Sequence, residues 1–239
     1  MLGRRATWRD IFRHFFAFEE FLMLKLRVVN GHVQQTRLAP SARGFVDFMQ
    51  AGSAALMGSM HLGHSDLLGF LFGPRYRHRM CMVRQRVDNS HDVDQLLERC
   101  GGWLKIVWVN DPANLLFALR DAIASGASVA MKCDRLEYTA KTEPFEFLGA
   151  RRLFPFTIYH LAVIFDRPVV FSFGLPGSQG ESVVHSSPIW LPRADWSREQ
   201  NLASGREHFQ SFLRQVEDVL HHDPYQWFNF LPLNPVAPA

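Results

Sequence analysis

Two side chains that can move a proton lie close together within residues 58–68: His61 and, five residues later, Asp66. Residues 54–57 before them are apolar and predict the end of a buried strand, whereas residues 67–72 after them predict a helix. A histidine that ends a strand can meet a carboxylate in the first turn of the next helix. A carboxylate that accepts from one imidazole nitrogen leaves the other free to take a proton, so this spacing predicts a general base.

The same segment leaves two other chemistries open. One is a metal site, for which the available ligands are His61, His64, Asp66, His160 and His185. The other is the G-x-S-x-G turn of serine hydrolases, which residues 63–67 approach. Leu67 stands where that turn needs its second glycine, and this weakens the hydrolase interpretation.

The composition is that of a globular chain. Its 239 residues are 47% hydrophobic and 21% charged, which is enough for a single α/β domain with a sizeable core. The formal net charge of +3 does not indicate a nucleic-acid partner. The three cysteines, Cys81, Cys100 and Cys133, are scattered, which argues against a disulfide framework or a zinc cage and favours a reducing compartment.

Strand and helix patterns alternate along the chain, and they predict an α/β fold, a single-domain αβ sandwich. The predicted strands cover residues 54–60, 80–84, 104–109, 128–131, 168–173 and 182–191. The predicted helices cover residues 91–100, 113–124, 154–165 and 196–222. Residues 32–45 predict a loop that leads into a helical stretch, and residues 136–144 predict a polar loop. No internal repeat or domain linker interrupts the pattern.

The first 29 residues form a separate amphipathic element, and residues 30–239 form the domain proper. Thr7 is a suitable N-cap for a helix that reaches Val29, with aromatic residues near helical spacing and arginines between them. Such a helix either covers the core or touches a membrane surface. No run approaches the ~18 apolar residues of a membrane span, and no signal-peptide core is present.

Four blocks of the chain resemble the lysophospholipid acyltransferase superfamily. The likeness is to the branch of bacterial lipid A biosynthesis (lauroyl/myristoyl) acyltransferases and to related predicted acyltransferases of lipid and aryl-polyene gene clusters. The superfamily signature is the His-x4-Asp of His61 and Asp66. The blocks are residues 58–66, 126–135, 147–162 and 224–230, and the last is the most specific to the branch. The resemblance implies the glycerolipid/lipid A acyltransferase type of fold.

The resemblance also implies a reaction. His61 would be the general base, oriented by Asp66, and would deprotonate a hydroxyl of a membrane lipid or glycolipid acceptor. The oxygen would then attack the thioester that links a fatty acyl or aryl-polyene-like acyl chain to an acyl-carrier protein or to coenzyme A, without a metal or other cofactor. The implied substrate-binding residues are Arg84, Asp134, Arg135, Gly149, Phe154 and Pro155. The implied location is the cytoplasmic face of the bacterial inner membrane, where the protein would be peripheral.

Some positions depart from the pattern of that branch. Asp66 stands where the branch often has glutamate, His64 where asparagine is common, and Phe156-Thr157 where relatives tend to have a glycine. Two alternatives therefore stay open. One is a catalytically degenerate module that binds lipid or acyl-carrier protein, and the other is a thioesterase or esterase that uses the same histidine with water.

Overall fold

The protein is a mixed α/β structure built on a mostly parallel seven-stranded sheet. The computed structural model describes residues 4–68, 78–85, 102–110, 112–137, 139, 141–232, 234 and 235. The strands are β1 (Thr36–Leu38), β2 (Leu56–Ser59), β3 (Met80–Arg84), β4 (Leu104–Trp108), β5 (Ser128–Lys132), β6 (Thr142–Phe147), β7 (Ala150–Pro155), β8 (Val169–Pro176) and β9 (Ser182–Ser186). The helices are α1 (Trp8–Val29), α2 (Arg43–Gln50), α3 (Pro112–Ala124), α4 (Thr157–Phe165) and α5 (Arg198–His222).

The large sheet has the strand order β1-β9-β8-β2-β5-β3-β4, and β6 and β7 form a separate antiparallel pair. The central strand β2 is parallel to both neighbours, β8 and β5. The chain leaves β2 for β3 and β4 on one side, and it returns later to β8 on the other side. Open α/β sheets bind ligands at the carboxyl ends of strands where the connections diverge in this way.

The two faces of the sheet are packed differently. Alternate residues of each strand point to opposite faces, so Leu56 joins one core and Met57 the other. The first face is covered by α3, α4 and α5, and its centre is aromatic, with Phe171 stacked 4.4 Å from Phe212. The second face is covered by α2, and its buried side chains include several methionines.

Helix α1 is fixed to the end of the chain. Thr7 caps it in a capping box with Asp10, and Asp10 accepts hydrogen bonds from Arg4 and from the Tyr225 hydroxyl at 2.7 Å. Farther along, the Phe21 ring stacks on Phe228 with centroids 5.3 Å apart. One side of the helix is therefore committed to residues 225–230.

The principal strands and the long terminal helices agree with the sequence patterns, and α1 starts after the expected cap at Thr7. The short strand β1 and the β6–β7 hairpin were not expected. Phe154 and Pro155 end β7 instead of opening a helix, and α4 starts only at Thr157. The expected helical residues 69–72 and 91–100 lie outside the described residues. Among the helices that the structure describes, none is both long and apolar enough to cross a membrane.

Candidate functional site

His61 and Asp134 come together at the carboxyl ends of adjacent parallel strands. Ser59 at the end of β2 is in register with Lys132 at the end of β5, so the residues that follow each strand are neighbours. The distance from His61 Nδ1 to Asp134 Oδ1 is 2.8 Å, and the His61 backbone N–H donates to Asp134 Oδ2 at 3.0 Å. This double contact fixes both the backbone and the ring of His61.

Asp134 is fully buried and is satisfied by a third donor. Trp227 Nε1 donates to its Oδ2 at 3.1 Å. Burial alone raises the pKa of the Asp134 carboxyl, but the hydrogen bonds and the charge of His61, together with Lys132, outweigh burial and lower that pKa. An ionised Asp134 accepts from Nδ1–H, so Nε2 is the basic nitrogen of His61. Nε2 has no hydrogen-bond partner among the described residues.

The turn that carries His61 is held by the end of the chain. The Phe228 N–H donates to the His61 carbonyl at 2.7 Å, and the Gly63 N–H donates to the Gln226 carbonyl at 2.7 Å. Gly63 adopts a φ of +48°, and a Cβ there would lie 2.4 Å from the carbonyl oxygen of Gly174. A side chain at this position would therefore displace the turn from β8.

The structure pairs the His61 ring with Asp134, and it brings Asp66, the partner expected from its spacing, to two lysines instead. The Asp66 carboxylate meets Lys132 Nζ at 2.7 Å and lies 3.8 Å from Lys25 Nζ. Asp66 belongs to the short 3₁₀ turn Ser65–Leu67, whereas the carboxylate that contacts the His61 ring follows the neighbouring strand β5. Burial raises the pKa of Asp66, but the two lysines more than offset that effect and hold it well below its usual range.

A cavity of about 340 Å³ opens beside His61 on the α2 face of the sheet. Five of the chain's eight methionines line it, namely Met49, Met57, Met80, Met82 and Met131. Its lining residues with ionisable side chains are Lys25, His61, Asp66, Arg84, Lys132, Arg135 and Glu137. The volume falls within the range of about 300–1,000 Å³ that is common for small-ligand sites.

The other expected substrate-binding residues divide into two groups. Arg84 and Arg135 line the cavity, and Arg135 Nε also donates to Asn229 Oδ1 at 3.1 Å. Gly149, Phe154 and Pro155 do not line it. Gly149 is in the exposed turn between β6 and β7, and Phe154 and Pro155 are buried at the end of that hairpin because its apolar side packs beneath α5.

The other histidines of the metal interpretation each contact a separate partner. His64 is buried with Nδ1 2.8 Å from Ser182 Oγ, His160 faces Arg198, and His185 stacks on Phe173. Within the described ranges, no three His, Cys, Asp or Glu side chains are grouped as a metal site would need. The Ser65 hydroxyl donates to the Leu62 carbonyl at 2.5 Å. In a serine hydrolase the nucleophilic hydroxyl would instead donate to a base.

Four features of the site were missed by the sequence patterns. Asp134 was expected to bind substrate, but it is the partner of His61, and Trp227 had no assigned role. Lys132 directly precedes Cys133-Asp134. A lysine at the end of a mostly apolar strand is the sequence feature that could have identified it as a site residue. The methionines became a group only when α2, β2, β3 and β5 were brought together.

No known family model and no curated protein matches this chain.

Proposed function

We propose that this protein is an O-acyltransferase that moves a fatty acyl chain from an acyl-carrier-protein or coenzyme A thioester to a hydroxyl of a membrane lipid or glycolipid. The observation that carries the proposal is the position of His61. Its ring is held by the buried Asp134, and it lines a largely apolar cavity at the carboxyl edge of the sheet. The resemblance of four sequence blocks to lipid A acyltransferases predicts the same reaction.

In this proposal Asp134, and not Asp66, orients the base. His61 Nε2 removes the proton of the acceptor hydroxyl, and the oxygen attacks the thioester carbon. The carbonyl π pair moves to oxygen and forms a tetrahedral intermediate. When that intermediate collapses, the carbon–sulfur bond breaks, and the thiolate leaves and takes the proton from His61. The products are an ester and a thiol, so no oxidant or further reactant is needed.

The methionine-lined part of the cavity suits a flexible acyl chain. Met57 projects from β2, Met80 and Met82 project from β3 on the far side of β5, and Phe45 and Met49 line the same cavity from α2. Methionine side chains adapt to irregular apolar partners, and each buried methylene contributes about 0.8 kcal/mol to binding. A cavity of this kind binds the tail and leaves the thioester beside the polar residues near His61.

Helix α1 supports attachment of the enzyme to the cytoplasmic face of a bacterial inner membrane. Trp8, Phe12 and Phe16 follow one another at four-residue spacing and are 77%, 71% and 70% exposed. The exposed Arg5 and Arg9 are close to them in sequence. Aromatic and basic side chains combined on one helix are typical of an interfacial helix, and each basic residue near an anionic surface adds about 1 kcal/mol.

Flotation with vesicles that contain anionic phospholipid tests this attachment. We expect wild type to float, and a variant with Trp8, Phe12 and Phe16 changed to Ser to remain in the soluble fraction. Leu116→Ser/Phe117→Ser is the matched control, because those residues are also exposed and apolar but lie on α3. Equal flotation of wild type and the α1 variant would contradict attachment through this helix.

The activity test uses purified protein, radiolabelled palmitoyl-coenzyme A or palmitoyl-acyl-carrier protein, and bacterial membrane lipid. We expect a labelled lipid ester to form, and we expect His61→Gln to lower the rate about 10²–10⁴-fold. His221→Gln is the control, because His221 is an exposed histidine at the end of α5.

The alternatives give different products in the same assay. Release of free fatty acid without acceptor would replace the transferase proposal with a thioesterase. Thioester binding without turnover, equal in wild type and His61→Gln, would indicate a module that binds lipid or acyl-carrier protein. Neither binding nor turnover with both donors would overturn the proposed function.

A further inference from the structure

The proposed transfer needs a donor for the negative charge that develops on the thioester oxygen. Such donors are typically the largest electrostatic contribution to acyl transfer, and they must lie beside the base on the substrate side. Lysine and arginine side chains that line the cavity with His61 are the candidates, namely Lys25, Arg84, Lys132 and Arg135.

Lys132 lies at the end of the strand next to the one that leads to His61. It ends β5 in register with Ser59, two residues before His61, and about a quarter of its side chain is exposed. Arg84 ends β3, which lies one strand farther from β2. Arg135 Nε donates to Asn229, and Lys25 reaches the site from α1 on the other side of Asp66.

The ammonium group of Lys132 is held in place by two acceptors. Its Nζ lies 2.8 Å from the Met60 carbonyl and 2.7 Å from Asp66 Oδ1. An ammonium has three N–H donors, and these contacts use two of them. The third has no acceptor among the described residues, while the side chain lines the cavity that His61 also lines. A preoriented donor of this kind needs little reorganisation when charge appears.

We propose that Lys132 is a catalytic residue that donates a hydrogen bond to the tetrahedral oxyanion, and that Asp66 is its positioning residue. This inference rests on the proposed acyl transfer. The carbonyl π pair moves to oxygen as the new carbon–oxygen bond forms, and Lys132 stabilises that oxygen without giving up its proton. The two carboxylates then have separate tasks, since Asp134 orients the base and Asp66 orients the oxyanion donor.

Lys132→Met tests the assignment, with Lys105→Met as control because Lys105 is an exposed lysine on β4. We expect Lys132→Met to lower kcat about 10²–10³-fold. Affinity for a palmityl trifluoromethyl ketone, whose hydrate mimics the tetrahedral state, should fall by a similar factor. Affinity for a non-reactive palmityl-coenzyme A thioether should stay within about threefold, because oxyanion stabilisation acts on the transition state. Lys132→Arg, which keeps the charge and a donor, should recover part of the rate.

A double-mutant cycle tests the role of Asp66. If Asp66 acts through Lys132, Asp66→Asn should lower the rate of wild type but change the Lys132→Met protein little further. A kcat for folded Lys132→Met within about threefold of wild type would overturn the assignment, and so would a parallel loss of affinity for both analogues. If Lys132→Met does not fold, Lys132→Gln answers the same question by the same criteria.

The proposed function and this inference fail in distinguishable ways. An active wild type with an inactive His61→Gln and an active Lys132→Met would retain the transferase and reject the role of Lys132. An inactive wild type would reject the transferase and the inference together.

Discussion

Asp134 and Asp66 lie on either side of the same site, but their surroundings differ sharply. Asp134 is fully buried and accepts from His61 and from Trp227. Asp66 is about a quarter exposed and faces Lys132 and Lys25. In the proposed reaction the first carboxylate therefore orients a ring that exchanges a proton, whereas the second orients the amine of a lysine. Burial and the identity of the partner, and not distance along the chain, separate their roles.

Different parts of the chain hold the two carboxylates in place. Asp134 follows β5 in the middle of the sheet, and the final segment of the chain packs over it through Trp227. Asp66 belongs to a 3₁₀ turn on the α1 side, where Lys25 approaches it. A change at Asp134 should therefore disturb the base, while a change at Asp66 should disturb charge balance in the cavity.

The largest effect is expected for Asp134→Asn. The amide has nearly the same shape, but it cannot hold the Nδ1–H tautomer as a carboxylate does, so we expect kcat to fall about 10²–10⁴-fold. Asp66→Asn in the same assay should cost about tenfold, because it keeps an acceptor for Lys132 and loses only the charge. If the order of the two losses were reversed, Asp66 would be the partner of the base.

A smaller effect is expected for Trp227→Phe. This change removes one donor from Asp134 and leaves the bond between Asp134 and His61 in place. One hydrogen bond is worth about 0.5–1.5 kcal/mol, which corresponds to a loss in kcat of about two- to twelvefold. The pH–rate profile separates positioning from simple destabilisation. Loss of a donor to the Asp134 carboxylate should shift the acidic limb of that profile. An unchanged profile together with a lower melting temperature would make Trp227 a packing residue only.

The second histidine of the turn, His64, should have the smallest effect on activity, in contrast with His61. Burial lowers the pKa of His64 to about 4, from an ordinary value of 6.5. Between these values the unfolded chain binds a proton that the folded protein does not, so the contribution of His64 is complete above pH 6.5 and is lost on acidification. The loss between pH 7 and pH 5 should be about 2 kcal/mol.

In urea titrations, the free energy of unfolding of His64→Asn should fall less between pH 7 and pH 5 than that of wild type. His221→Asn is the control, because His221 is exposed. This variant should show the same dependence of the free energy of unfolding on pH as wild type. If the free energy of unfolding of His64→Asn fell as much between pH 7 and pH 5 as that of wild type, other histidines would be the cause of the acid sensitivity. Activity at pH 7 should change little, because His64 contacts Ser182 and does not contact Asp134.

Local sequence determined the main elements and singled out His61 as the candidate base. The period-two and period-3.6 patterns specify most strands and helices because side-chain direction repeats with the backbone, and Thr7 with Asp10 specifies the start of α1. The hairpin β6–β7 was missed, although Phe145 and Phe147 alternate with Glu146. Its turn needs positive φ at Leu148 as well as at Gly149, and leucine does not signal such a turn.

Only the tertiary structure decided which side chains act together. Asp66 is five residues from His61 and Asp134 is 73, yet the parallel pairing of β2 with β5 places Asp134 on the ring and turns Asp66 toward Lys132. The same pairing joins methionines from separate strands into one cavity wall. Spacing along a chain specifies local geometry, but strand order and register specify contacts across a sheet, and these depend on how the whole chain buries its two apolar faces.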